Sequence, residues 1–239
     1  MQEKKLSKKE RRILRTQGIN TNPAISLREI SPKTMNQRKA FESFKKNKNI
    51  MFHGTAGTGK TFVGLYLALK EVIQHEEHNK VIIVRSVVPS RDIGFLPGNQ
   101  KEKIKVYEYP YQLICTELFN RGDAYDILKQ KNQIEFISTS FIRGITIRNA
   151  IVLIDEIQNM NWGEISTVLT RIGENCRVII SGDTKQSDLS EKDGKRDLLK
   201  LINVCRNMNT FEFIQMTKND ICRSGFVKEF LIECETLGY

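Results

Sequence analysis

The chain has 239 residues, with 38 Lys or Arg against 28 Asp or Glu and a net charge of +10. Residues 1–50 carry 14 basic and 4 acidic side chains, so the whole excess lies in the first fifth, and the remainder balances at 24 and 24. Hydrophobic residues at 39% and charged residues at 28% exclude a fully disordered, collagenous or coiled-coil protein, and no apolar run approaches the roughly 20 residues needed to cross a bilayer.

Taken in chain order, residues 1–22 hold Lys4, Lys5, Lys8, Lys9, Arg11, Arg12 and Arg15 with few large apolar side chains. That composition predicts a basic arm that builds no core, followed by one domain over residues 23–239. Pro23 and Pro32 bracket an extended piece, and Ala40, Phe41 and Phe44 share one face of a helix predicted over 36–46. Apolar runs at 50–53, 81–85, 134–138, 151–155, 177–181 and 211–216 suit strands buried on both faces, and the segments between them are long enough for helical crossovers. The expected fold is α/β, a mostly parallel sheet with helices on both faces. Residues 86–105 include Pro89, Gly94, Pro97 and Gly98 and predict a long ordered loop. Cys115, Cys176, Cys205, Cys222 and Cys234 show no metal-ligand spacing and are expected to be reduced and mostly buried. No apolar leader follows the first charges, which makes the cytoplasm the default location.

The first apolar run leads into Gly54-Thr55-Ala56-Gly57-Thr58-Gly59-Lys60-Thr61 and then an apolar helical segment over 62–73. This is the G-x-x-x-x-G-K-[ST] phosphate loop in its strand, loop and helix setting. The glycines let backbone N–H groups approach phosphate oxygens, Lys60 reaches the β and γ phosphates, and the Thr61 hydroxyl can ligate Mg²⁺. The run 151–154 ends in Asp155 and Glu156. Asp155 suits a Mg²⁺ ligand, direct or through water, and Glu156 suits the base that activates attacking water, so the pair points to hydrolysis. The run 177–181 leads to Gly182, Asp183, Gln186 and Asp188, where Asp183 and Gln186 are candidates to touch the γ-phosphate and the water; a plain polar turn is the competing reading. Thr217-Lys218-Asn219-Asp220 fits the guanine-reading [NT]KxD pattern, but residues 155–158 read D-E-I-Q rather than D-x-x-G, which argues against guanine.

Five further pieces carry a family resemblance: Gly94 to Gly98 with Lys103 and Tyr107, Arg143-Gly144 leading to Asn149-Ala150, Asp155 to Asn159, Leu169 to Gly173, and Gly182-Asp183 with Gln186 and Asp188. In this order the chain resembles the PhoH-like family of P-loop ATPases, relatives of superfamily 1 helicases, from about residue 36 onward. The resemblance implies one RecA-like domain that hydrolyses ATP with Mg²⁺, and a link to RNA metabolism. Gln37, in Asn36-Gln37-Arg38-Lys39-Ala40, matches the element whose amide reads adenine; a surface glutamine is the alternative. Ile157 and Asn161-Trp162 depart from the family pattern. No length remains for an appended nuclease or KH domain, so nuclease activity is not expected.

A single RecA-like domain lacks the arginine that a second domain supplies in helicases, which is worth about 10³ to 10⁵ in rate. The expectation is a homo-oligomer, a ring hexamer favoured, in which a neighbour donates it. Arg223 is the first candidate finger, with Arg143 and Arg171 behind it, and a surface ion pair is the plain alternative for each. The basic arm predicts salt-dependent binding of single-stranded nucleic acid, RNA before DNA. Lys101, Lys103, Lys105, Tyr107, Tyr109 and Tyr111 alternate basic and aromatic residues that could pair phosphates and stack bases, although Tyr107 and Tyr111 are one helical turn apart and could equally pack inward. An ATP-regulated assembly protein without unwinding activity is the main alternative, and a small-molecule kinase ranks below both.

Overall fold

The computed structural model describes residues 25–75, 77–87, 100–183 and 191–237. The basic arm over 1–22, residues 88–99 of the expected loop, and Gln186 with Asp188 lie outside the described residues.

Six strands, β1 (Asn49–Gly54), β2 (Lys80–Arg85), β3 (Ile134–Ser138), β4 (Ala150–Ile154), β5 (Cys176–Ser181) and β6 (Phe211–Met216), form one sheet in the order β3-β2-β4-β5-β1-β6. Every neighbouring pair runs parallel. This is the α/β architecture expected from the apolar runs. The helices are α1 (Met35–Lys45), α2 (Lys60–Lys70), α3 (Gln100–Phe119), α4 (Ala124–Gln130), α5 (Trp162–Leu169), α6 (Glu191–Arg206) and α7 (Gly225–Leu237).

Side-chain alternation along the strands divides the core in two. Ile50, Phe52, Val81, Ile83, Ile151, Leu153 and Ile179 face one layer, which receives the buried sides of α1, α2, α3 and α4. Met51, Ile82, Val84, Val152, Ile154, Val178 and Ile180 face the other, packed by α5 and α6. Each such aliphatic side chain contributes about 1.5–3 kcal/mol on full burial, so both layers are needed to hold a sheet with two apolar faces. No helix among the described residues is long and apolar enough to cross a membrane.

Three expectations change. Residues 100–105 are not loop: α3 begins at Gln100 and runs through Pro110, because Tyr111, Cys115 and Leu118 bury one helical face against the sheet. Helix α2 ends at Lys70 and widens into a π turn over Glu71–His75. Of the five free cysteines only Cys115 and Cys205 are buried, while the other three are half-buried, since the segments that carry them lie at the margins of the two layers.

Because all strands are parallel, their C-terminal ends share one edge. Across that edge the order is Arg85 on β2, Asp155 after β4, Gly182 after β5 and the phosphate loop after β1. The acidic strand and the loop strand are separated by β5, so the β5 tip enters between them.

Candidate functional site

The phosphate loop is held by the backbone around it. Gly54 has φ +109°, and a Cβ there would lie 2.1 Å from the Met216 carbonyl oxygen, so only glycine lets β1 turn beside β6. The Thr55 amide donates to the same carbonyl at 3.0 Å, and the Cys222 amide donates to the Gly57 carbonyl at 3.1 Å. Within the loop the Thr58 hydroxyl donates to the Thr55 carbonyl at 3.0 Å. Gly59, in left-handed conformation, caps α2, which aims the N-terminus of that helix into the cleft.

The cleft has a volume of about 700 Å³ and brings together Ala56 to Thr61, Gln37, Asp155, Glu156, Asp183 and Arg223. Lys60 Nζ donates to the carbonyls of Gly54 and Thr55, each at 2.8 Å. Burial lowers its pKa, opposed by the charges of Asp183, Glu156 and Asp155. The ammonium therefore faces three carboxylates across a space open to phosphate.

Thr61 Oγ1 donates to Asp155 Oδ1 at 2.9 Å, and Tyr111 OH donates to Asp155 Oδ2 at 2.8 Å. Both Asp155 oxygens are thereby oriented in a residue only 2% exposed. Adjacent oxygens around an octahedral Mg²⁺ with bonds of about 2.0–2.1 Å stand about 3 Å apart, so the Thr61 and Asp155 oxygens fit that ion as neighbouring ligands. Glu156 adopts φ 52°, ψ 43°, a left-handed conformation that costs a non-glycine residue on the order of 1–3 kcal/mol and concentrates at functional sites. Burial and Asp155 raise its pKa, against Arg85, Gln158 and Lys60.

Gln158 and Arg85 carry parts of the site that motif reading passed over. Gln158 Nε2 donates to Glu156 Oε2, while its Oε1 accepts from the Asp183 amide at 2.9 Å. One buried amide thus joins the tips of β4 and β5. Gly182 permits this, because a Cβ there would approach Ile157 Cγ2 to 2.4 Å. The sequence signals for Gln158 are its place three residues after Asp155 and its inclusion in the Asp155 to Asn159 family piece, neither of which gives it a role.

Gln37 is 5% exposed and not a surface residue. Its Nε2 donates to the Thr58 carbonyl at 3.1 Å and to Cys222 Sγ at 3.4 Å, and its Oε1 accepts from the Lys33 amide at 2.8 Å. It braces the phosphate loop and lines the cleft. Arg223 lines its own chain's cleft, with Cγ 3.2 Å from where a Gly57 Cβ would stand. Arg143 is exposed and outside the cleft lining, and Arg171 is half-buried. Tyr111 is fully buried and cannot stack a base; Tyr107 is half-buried beneath Arg85, and Tyr109 is exposed. The side chains of Lys101 and Lys103 lie outside the described residues. The guanine-like stretch is a cap: Asp220 Oδ2 accepts from the Thr217 amide at 2.9 Å, from the Thr217 hydroxyl at 3.1 Å and from Asn36 Nδ2 at 2.8 Å.

A parallel sheet with a loop of this shape at its carboxyl edge and an acidic pair one strand removed defines a RecA-like P-loop protein with a nucleotide-type cleft. The chain belongs to the PhoH-like protein family, whose family model matches residues 29–234. It is 30% identical over 205 residues to the PhoH-like protein of Bacillus subtilis (strain 168), covering 85% of this chain and 63% of that protein. It is 34% identical over 173 residues to Protein PhoH of Escherichia coli (strain K12), covering 71% of this chain and 47% of that protein. The chain thus spans less than two thirds of the length of these relatives. Among solved structures it is similar to the large terminase of a thermophilic bacteriophage, at 13% identity and TM-score 0.47, over 82% of this chain and 48% of that one. It is also similar to the Pif1 helicase from Candida albicans, at 11% identity and TM-score 0.37, over 80% of this chain and 41% of that one.

Proposed function

We propose that this protein binds ATP with Mg²⁺ in the cleft, hydrolyses it, and couples the cycle to single-stranded nucleic acid, RNA before DNA. The observation that carries the reading is the convergence of Lys60, Thr61, Asp155 and Glu156 at one end of the cleft. Backbone amides of residues 55–60 and the α2 N-terminus cradle the phosphates, and Lys60 turns to the β and γ oxygens. Thr61 and Asp155 would hold Mg²⁺, which would neutralise phosphate charge when bound. Glu156 orients the attacking water and takes its proton; its strained backbone and the Gln158 amide fix the direction of the carboxylate. Gln186 and Asp183 remain candidates to report the state of the γ-phosphate.

The coupling to nucleic acid rests on the charge of residues 1–22 and on Lys105 and Tyr109, both exposed on α3. The test is steady-state ATP hydrolysis with and without single-stranded RNA and DNA, for the full chain and for one lacking residues 1–22. Stimulation lost on truncation is expected; indifference to both polymers would remove the nucleic-acid part. Glu156→Gln is expected to keep nucleotide binding and lower kcat by about 10²–10⁴, and a kcat near the parent's would remove Glu156 as the base.

A second reading, an ATP-regulated assembly that forms a ring without unwinding, draws on α7, where Phe226, Phe230 and Leu237 are 79%, 59% and 69% exposed. Exposed apolar side chains of this size on one helix suit a partner surface. Light scattering with and without ATP tests it, and a monomer in both conditions would reject it.

A further inference from the structure

Arg85 is the last residue of β2, and the Asp155 amide donates to the Val84 carbonyl at 2.9 Å. The acidic tip of β4 is therefore tied to the residue just before Arg85. The Arg85 side chain lines the same cleft as Lys60, and its guanidinium carbon lies 5.6 Å from the centre of the Tyr107 ring, so α3 supports the plane of the group. Burial opposes its charge, but Tyr111, Glu156 and Asp155 act on it and hold it cationic. Glu156 feels both Arg85 and Lys60, and all three line the same cleft.

Among the described residues Arg85 closes no ion pair. Tyr111, Glu156 and Asp155 already outweigh the cost of burying the guanidinium, and its planar fork of donors matches phosphoryl oxygens. Strand order decides which part of a nucleotide it meets. The phosphate loop lies three strand positions away, with β4 and β5 between, so Arg85 enters the cleft from the side of the acidic pair, where the ATPase reading puts the γ-phosphate and the attacking water.

We infer that Arg85 is a catalytic residue acting within its own chain, its guanidinium contacting the γ-phosphoryl oxygens of ATP opposite Lys60. The inference rests on the ATPase reading above. In the step it serves, the water oxygen bonds to the γ-phosphorus while the bond to the bridging oxygen breaks, and that electron pair stays with ADP. The water proton passes to Glu156 and on to solvent, leaving ADP, phosphate and a proton. Arg85 exchanges nothing; it stabilises the charge spread over the γ oxygens, as an arginine finger does. Arg223 approaches from the phosphate-loop side of the cleft, so the two arginines are not equivalent.

The experiment uses the full chain with Arg85→Met and Arg85→Lys. It measures steady-state ATP hydrolysis, binding of a fluorescent ADP, and binding of a non-hydrolysable ATP analogue. Arg85→Met is expected to lower kcat at least about 100-fold with ADP affinity unchanged, and Arg85→Lys to recover only a small part because it lacks the bidentate fork. A kcat close to the parent's overturns the assignment. So does a loss of ADP binding in step with kcat, which marks a structural arginine. If the parent binds the analogue without hydrolysing ATP, loss of its preference for the analogue over ADP in Arg85→Met still supports the contact, and retention overturns it. A parent that neither binds nor hydrolyses ATP overturns the ATPase reading, and the role of Arg85 falls with it.

Discussion

Tyr111→Phe removes one oxygen from the protein and leaves the packing of the ring, which lies 5.8 Å from Phe136, in place. That oxygen donates to Asp155 Oδ2 at 2.8 Å, with Tyr111 fully buried and Asp155 2% exposed. Burial and the Asp155 charge hold the phenol well above its ordinary pKa, so the hydroxyl is a donor at every working pH. Without it the buried carboxylate oxygen loses the donor that the Tyr111 ring holds against it. A hydrogen bond to a charged group is worth about 1.5–3 kcal/mol, and at about 2–4 °C per kcal/mol for a chain of this size the expected fall in Tm is about 3–12 °C. The same bond orients a metal ligand, and outer partners of this kind are worth about 10–100-fold in metal affinity. The Mg²⁺ concentration for half-maximal ATPase is therefore expected to rise about tenfold or more, with kcat at saturating Mg²⁺ near the parent's. Calorimetry and a Mg²⁺ titration of hydrolysis read the two effects. A variant with unchanged Tm and unchanged Mg²⁺ requirement would refute the idea that Tyr111 holds Asp155 in place.

Gly54→Ala places a Cβ 2.1 Å from the Met216 carbonyl oxygen at φ +109°; strain and overpacking together are expected to cost about 3–5 kcal/mol, and an unchanged urea midpoint would refute the geometry of the loop entry. Asp220→Ala leaves the Thr217 amide and Asn36 without their shared acceptor and is expected to cost about 1–3 kcal/mol with no change in ATP over GTP preference. A shift toward GTP or away from ATP in competition binding would show that this stretch reads the base after all. His78 is 4% exposed beside Glu71, Glu77 and Arg177, and burial lowers its pKa from the ordinary 6.5. Below pH 6.5 the unfolded chain takes up a proton that the folded chain refuses, so stability is lost as pH falls through this window. His53 is shifted the same way by burial, Arg206 and Lys60. Urea unfolding of His78→Gln is expected to depend less on pH in this range; an equal dependence would remove His78 as a source.

The inner strands were legible because a strand buried on both faces has to be apolar throughout, as Ile151 to Ile154 and Val81 to Val84 are, while the edge strands β3 and β6 kept enough apolar residues to be read despite Glu135, Glu212 and Gln215. The phosphate loop was legible because its chemistry is local: the glycines, Lys60 and Thr61 work through backbone turns within eight residues. The helical start at Gln100 was not, since Pro89, Gly94, Pro97 and Gly98 read as a loop that runs on to residue 105, while the packing that sets the helix, Tyr111 and Leu118 against the sheet, lies further along the chain. A repeated basic and aromatic stretch looked like a base-stacking surface; folding turned Tyr111 inward onto Asp155 and put Tyr107 beneath Arg85.

What the sequence determined by itself was the inventory of the site: a loop for phosphates, a carboxylate pair for metal and water, and a charge excess placed before the domain. Only the tertiary structure decided who meets whom. The strand order inserts β5 between the loop and the acidic strand, so Gln158 can span Glu156 and Asp183, and Arg85 and Lys60 line one cleft. The Gln158–Asp183 contact joins residues 25 positions apart, and Thr61–Asp155 joins residues 94 apart. Short-range patterning carries no record of such separations, whereas the parallel register brings all the strand tips to one edge.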